Sequence, residues 1–336
     1  MRRFLKRVTR LPAYVKDRSV QLYKKFRADL YIDLNHDLKN TILVAGSGRG
    51  GTTWLAEIIN ADNDFRDIFE PVRPLHSAAC HHFKDRQYLR VTDSEPRFVK
   101  PMRYVLEGRT RSYYSDQFNT RFFCSRRIIK EVRLNNLLKW INVHFPEVPL
   151  VWIIRHPCAV AHSRLTGTWK GAHDIADLLS QPELVADHLA PFVNLLQDAQ
   201  DEFERHVAVW CVENYVPWRE LKQGDALVIF YEDLCTQPEE QVKRIAQFLS
   251  LDNPESMMLR TAHPSSQVRT NNKNFTSAVL LGQDPVSFWK RYVTPAQVQR
   301  AMRLVDAFGL SRLYGPEPLP LTQPDAVLQD ALLPIK

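Results

Sequence analysis

No run of apolar residues in the sequence approaches the length of a bilayer span, and the N-terminus lacks a signal-peptide core. The chain is therefore expected to be neither anchored by a transmembrane helix nor exported. Cysteine is sparse. Cys80, Cys124, Cys158, Cys211 and Cys235 are odd in number and never form C-x-x-C, which argues against a disulfide framework and predicts free thiols in a reducing, cytoplasmic setting. His76, Cys80, His81 and His82 lie close together, yet no second cluster completes a tetrahedral set, so no metal is expected. Nucleic-acid recognition motifs and internal repeats are also missing, which removes a nucleic acid as the expected partner and a solenoid as the expected fold.

Positive charge is present but unevenly placed. Residues 1–27 carry ten Lys/Arg against the single acid Asp17, so this arm holds +9 while the remainder nets −2 against the total of +7. Phe4, Leu5, Val8 and Leu11 fall on one helical face before Pro12, and this pattern predicts peripheral contact with an anionic membrane. A solvated basic tail is the plainer alternative. With 44% hydrophobic residues among 336, the chain can build one large α/β domain with insertions.

The most informative stretch is Gly46 to Trp54, GSGRGGTTW. It nearly matches the phosphate-binding loop G-x-x-x-x-G-K-[ST], but Thr52 occupies the lysine position. Gly46, Gly51 and Thr53 keep the frame that holds a phosphate at a helix N-terminus, while the group that manages a triphosphate is missing. A donor with one 5′-phosphate and no γ-phosphate fits better. The β-rich run Thr41 to Ala45 and the helical spacing of Trp54 to Asn60 supply the flanking strand and helix. Glycines that merely close a βα turn are the alternative.

These residues resemble the sulfotransferases that use 3′-phosphoadenosine-5′-phosphosulfate (PAPS), whose loop reads [KR]-S-G-T-T-W or close variants. Arg49, Gly50, Gly51, Thr52, Thr53 and Trp54 depart from it only at Gly50, which removes a hydroxyl donor to the 5′-phosphate. In the family, an arginine ending a strand and a serine eight residues later bind the 3′-phosphate. Val151 to Ile154 leads into Arg155, and Ser163 stands eight positions on. Pro157 suits a first helical turn, and two turns later Ser163 returns to the face of Arg155. Read alone, Arg155 is a surface arginine and Ser163 an ordinary helix serine. His156 stands where the family usually has aspartate. Ala226 to Tyr231 is a further apolar strand, and the resemblance puts Tyr231 and Trp54 beside the adenine, although both also suit a core.

The resemblance implies chemistry as well. Arg49 matches the cation that contacts the leaving oxygen, and Lys130, ending the run Arg127 to Lys130, matches a catalytic lysine of the cytosolic enzymes. Their histidine base is replaced here by Val132. The tyrosylprotein and Golgi carbohydrate enzymes instead resemble Phe69-Glu70-Pro71, which makes Glu70 the expected general base. A surface carboxylate is the alternative reading for Glu70, and His76, His81 and His82 are the competing bases.

Strand-like runs at 41–45, 127–130, 149–154 and 226–231 alternate with helical segments, which predicts a parallel sheet covered on both faces; the resemblance makes it a P-loop-type three-layer α/β fold. The expected organisation is a basic arm over 1–39, a sulfotransferase domain over 40–314 with a helical insertion near 173–222 bordering the acceptor site, and a poorly ordered tail over 315–336. The expected activity is metal-independent sulfuryl transfer from PAPS to a hydroxyl of a carbohydrate, lipid or small natural product. An ATP-dependent P-loop kinase and a non-catalytic nucleotide-binding scaffold are the alternatives.

Overall fold

The computed structural model describes Leu22 and residues 30–73, 77–167, 174–199, 201–266 and 282–329. The arm up to residue 29 apart from Leu22, His76, residues 168–173 of the helical segment and residues 330–336 lie outside the described residues. So does the question of how the arm's apolar face is arranged.

Apolar runs with no polar alternation are strands buried on both faces, and three such runs form the middle and one edge of the central sheet. The strands are β2 (Thr41–Gly46), β3 (Phe65–Phe69), β5 (Arg126–Glu131), β6 (Leu150–Ile154) and β7 (Leu227–Phe230). All five are parallel, in the order β3-β5-β2-β6-β7. A separate parallel pair joins β1 (Ile32–Asp33) to β4 (Phe123–Cys124). β3 is absent from the sequence-based strand set.

Successive residues of each strand feed opposite cores, as the two-residue period requires. Ile42, Val44, Ile128, Val151, Ile153 and Ile229 pack with Leu55, Ile58 and Ile59 of α1 (Thr52–Ile59) on one face. Leu43, Ala45, Ile129, Trp152, Ile154 and Phe230 enter the larger core on the other. That core also takes side chains of α2 (Pro96–Leu106) and α3 (Leu138–His144). The three-layer α/β expectation is met.

Two features differ from expectation. The segment that looked like an insertion contains, among its described residues, a 19-residue helix, here α6 (Glu202–Glu220). It follows α4 (Pro157–Thr166) and α5 (Asp174–Leu179) in the chain, packs against α4, and is buried along almost all its length. Its polar side chains Glu204, His206, Glu213 and Asn214 are buried along with the apolar ones, and Asp201 caps it by accepting from the Glu204 amide. Residues 315–329 are likewise packed, not loose. Tyr314 bridges Pro320, Val327 and Leu328 are buried, and the Trp218 indole donates to the Val327 carbonyl at 2.9 Å. No described helix is long and apolar enough to cross a membrane.

Candidate active site

Arg49, Gly50, Gly51, Glu70, Lys130, Arg155 and Tyr231 lie at or just beyond the carboxyl ends of parallel strands, where open α/β sheets collect ligands. The glycine-rich loop follows β2, Glu70 follows β3, Lys130 is next to last in β5, Arg155 follows β6 and Tyr231 follows β7. Thr53 and Trp54 sit in the first turn of α1, and Ser163 in α4.

The loop is shaped for an anion. Gly51 caps α1 in the left-handed region (φ 99°) with no side-chain cap, so the first amides of the helix have no side-chain acceptor. A Cβ at Gly51 would meet the Tyr231 ring at 2.6 Å. One at Gly50 would lie 2.7 Å from the Ser47 carbonyl, so the family's serine does not fit this turn without movement. The departure at Gly50 is thus matched to a tighter loop, in which the Gly50 amide donates to that carbonyl at 2.8 Å.

Guanidinium groups hold the loop from behind. Arg164 donates through Nε to the Gly48 carbonyl at 3.1 Å, and Arg155 donates through Nη1 to the Arg49 carbonyl at 3.2 Å. Arg164 is in turn paired with Glu213 of α6 at 2.7 Å, and the neighbouring Asn214 donates to the Ser47 hydroxyl at 3.1 Å. Ser47, Arg164, Glu213 and Asn214 were missed in the sequence, where no motif marks them.

Arg49, itself at a positive φ of 74°, donates through Nε to Ser163 Oγ at 3.0 Å. Burial first, then Arg155 and Arg164, push its pKa down to about 10. Arg155 also lies over the Tyr231 ring, 4.1 Å from its centroid, and Tyr231 meets Trp54 at 5.5 Å. The Arg155 Nε is buried and has no hydrogen-bond partner. Arg49, Arg155, Ser163, Trp54 and Tyr231 therefore form one group around the loop. A cluster of cations beside an unoccupied buried donor and an amide-lined turn fits a ligand with more than one anionic group and an aromatic base.

The second group lies on the β5 and β3 side. Phe69 is in register with Lys130, and the Glu70 amide donates to the Lys130 carbonyl at 2.8 Å. Glu70 has a positive φ of 44°, a strained conformation of the kind found at functional sites. The next turn is pinned as the Val72 amide donates to Glu131 at 2.7 Å. The buried Glu70 carboxylate accepts from Lys130 Nζ at 2.6 Å, Arg133 at 2.7 Å and the Tyr114 hydroxyl at 3.1 Å. Burial alone would raise its pKa, but Lys130 and then Arg133 overcome that and lower it to about 2. Lys130 stands on the strand next to β2, one spacing from the loop strand, and Glu70 follows β3, two spacings or on the order of 10 Å away.

His81 and His82 are exposed, and their rings meet at a tilt of 42° with centroids 3.7 Å apart. His156 is buried as the N-cap of α4: its Nδ1 accepts from the Cys158 amide at 3.2 Å, its Nε2 donates to the Gly315 carbonyl at 3.0 Å, and its ring stacks on Trp289. It thus keeps the capping role an aspartate would have.

The profile described as "Sulfotransferase family" matches residues 41–255, more than half of the chain. No curated protein matches. Among solved structures, the sulfotransferase domain from the curacin biosynthetic pathway is 16% identical, with a TM-score of 0.46, over 83% of this chain and 98% of that one. The sulfotransferase domain of the Synechococcus PCC 7002 olefin synthase is 15% identical (TM-score 0.41; 80% and 94% covered). Mouse sulfotransferase SULT7A1 complexed with PAP is 19% identical (TM-score 0.37; 84% and 89% covered). On the profile match, which spans the glycine-rich loop and all five strands of the central sheet, this chain belongs to the sulfotransferase family.

Proposed function

We propose that the protein transfers a sulfuryl group from PAPS to a hydroxyl of a carbohydrate, lipid or small natural product, with Glu70 as general base. The observation that carries this reading is the pairing of an arginine-lined amide loop with a buried carboxylate–lysine pair along one edge of a parallel sheet. The loop amides with Arg49 and Thr53 would hold the 5′ end of the donor, Arg155 and Ser163 its 3′-phosphate, and Trp54 and Tyr231 the adenine. The donor supplies an activated sulfuryl group on a good leaving phosphate.

Positive charge at that leaving group comes from Arg49 and Lys130, and side-chain cations suffice because a sulfuryl group carries less charge than a phosphoryl group. Glu70 is ionised over the whole neutral range and is ready to accept the acceptor's proton. While Lys130 and Arg133 both grip it, its basicity is low; drawing Lys130 toward the leaving oxygen restores basicity as the acceptor hydroxyl arrives. An ATP kinase lacks support, since the lysine position of the loop holds the buried Thr52. The intact Glu70–Lys130 pair likewise speaks against a scaffold that has lost its chemistry.

Isothermal calorimetry tests the donor assignment. Adenosine 3′,5′-bisphosphate is expected to bind without magnesium, and Arg155→Ala to bind it more weakly by about tenfold or more. Tight magnesium-dependent ATP binding with no uptake of the bisphosphate would overturn the proposal. The acceptor follows from incubating the protein with ³⁵S-labelled PAPS and extracts of the source cells.

A further inference from the structure

The small sheet of β1 and β4 is inside out. Asp33 points inward, buried against Arg66 at 3.4 Å and Arg127 at 3.1 Å, and Cys124 is buried beside it. The apolar residues point outward: Ile32 is 55% exposed, Leu34 62% and Phe123 60%. A strand pair with one solvated face ordinarily turns its polar residues to water. Single exposed apolar side chains are common, but here Ile32 and Phe123 are register partners and Leu34 lies two residues along the same face. The buried arginines account for the inward aspartate; nothing among the described residues covers the outward side chains.

The covalent neighbour of this face is the basic arm. β1 starts five residues after Arg27, the last of the ten cations in residues 1–27. The arm carries +9, whereas the remainder of the chain nets −2. An anionic surface therefore attracts the molecule through the arm alone, and orients toward itself the part of the domain to which the arm is joined. A dimer through the same face would bring two such arms together against their mutual repulsion. A nucleic acid would use the charge and leave the apolar side chains without a role.

We propose that the Ile32, Leu34 and Phe123 face docks on an anionic lipid bilayer, entering the headgroup boundary while the arm neutralises acidic headgroups. This rests on the reading of the arm as a membrane-binding element and adds the second, apolar signal that stable peripheral binding needs.

The test is co-sedimentation of the full-length protein with phosphatidylcholine vesicles with and without phosphatidylserine. The native protein is expected to bind only the anionic vesicles and to release as salt rises. The double variant Ile32→Ser, Phe123→Ser changes exposed positions, so its unfolding midpoint should be unchanged while its vesicle affinity drops by about tenfold. Replacing Arg2, Arg3, Lys6, Arg7 and Arg10 by Gln should abolish binding. Native binding by the serine variant, with loss only in the arm variant, would sink the face and spare the arm. No binding by the native protein would sink both. A lipid-free dimer seen by light scattering and dissolved by the serine variant would replace the bilayer with a second copy.

Discussion

Glu70 sits in a conflict that defines its role. Its carboxylate is buried, strained at φ 44° and held by two cations and a phenol, so it is poorly basic in the resting arrangement. Glu70→Gln preserves shape and one hydrogen-bond acceptor but removes the proton acceptor. The expected outcome is a fall in kcat of about 10²- to 10⁴-fold, with bisphosphate affinity in calorimetry changed by about twofold or less. Unchanged turnover would remove Glu70 from the base position. The residue was legible in the sequence only through its resemblance to one branch of the family. Arg133 and Tyr114 were not legible, because they reach Glu70 from positions 63 and 44 residues away along the chain. Arg155 and Ser163 stand out in the sequence only through the family's eight-residue spacing; Arg155 lies before α4 and Ser163 within it. Even so, the bond observed at Ser163 comes from Arg49.

Among the elements, α4 couples the site to the end of the chain through its cap. His156 is pushed down to about pKa 3, chiefly by burial and secondarily by Arg155 and Lys290. A histidine whose folded pKa lies below its ordinary 6.5 stabilises the fold as the neutral ring. That contribution is complete above pH 6.5 and is lost as pH falls toward 3. His156→Asn keeps an acceptor for the Cys158 amide but does not titrate. Between pH 6.5 and 4 the native protein should lose about 1.4 kcal/mol of unfolding free energy per pH unit more than the variant, as measured by guanidinium titration. Parallel slopes would contradict a buried neutral ring. Element legibility followed the same logic. β2, β6 and β7 were readable from unbroken apolar runs, whereas β3 was not, because Arg66 and Asp67 interrupt it. Arg66 can lie in a buried strand since Asp116 pairs with its Nε at 2.8 Å, a partner fifty residues on that no local pattern reveals.

At the scale of the whole molecule, residues 315–329 close the domain. Their proline content suggested a loose end; instead Val327 and Leu328 are buried and the Gly315 carbonyl meets His156. Proline-rich chain without periodicity carries little local signal, and only the partners Trp218 and His156 decide its fate. Removing residues 320–336 is expected to lower unfolding stability by about 3 kcal/mol or more, since two buried apolar side chains and the acceptor of the Trp218 indole go with them. An unchanged denaturation midpoint would show the segment to be dispensable.

The Arg155 side chain bears on how the whole cleft is loaded. With its guanidinium bonded to the Arg49 and Pro285 carbonyls and resting on Tyr231, it is a strut between the glycine-rich loop and the segment at Pro285. If Arg155 takes a phosphate as proposed, its partnerless Nε can meet the anion while Nη1 keeps the Arg49 peptide braced, so ligand grip and loop shape depend on one side chain.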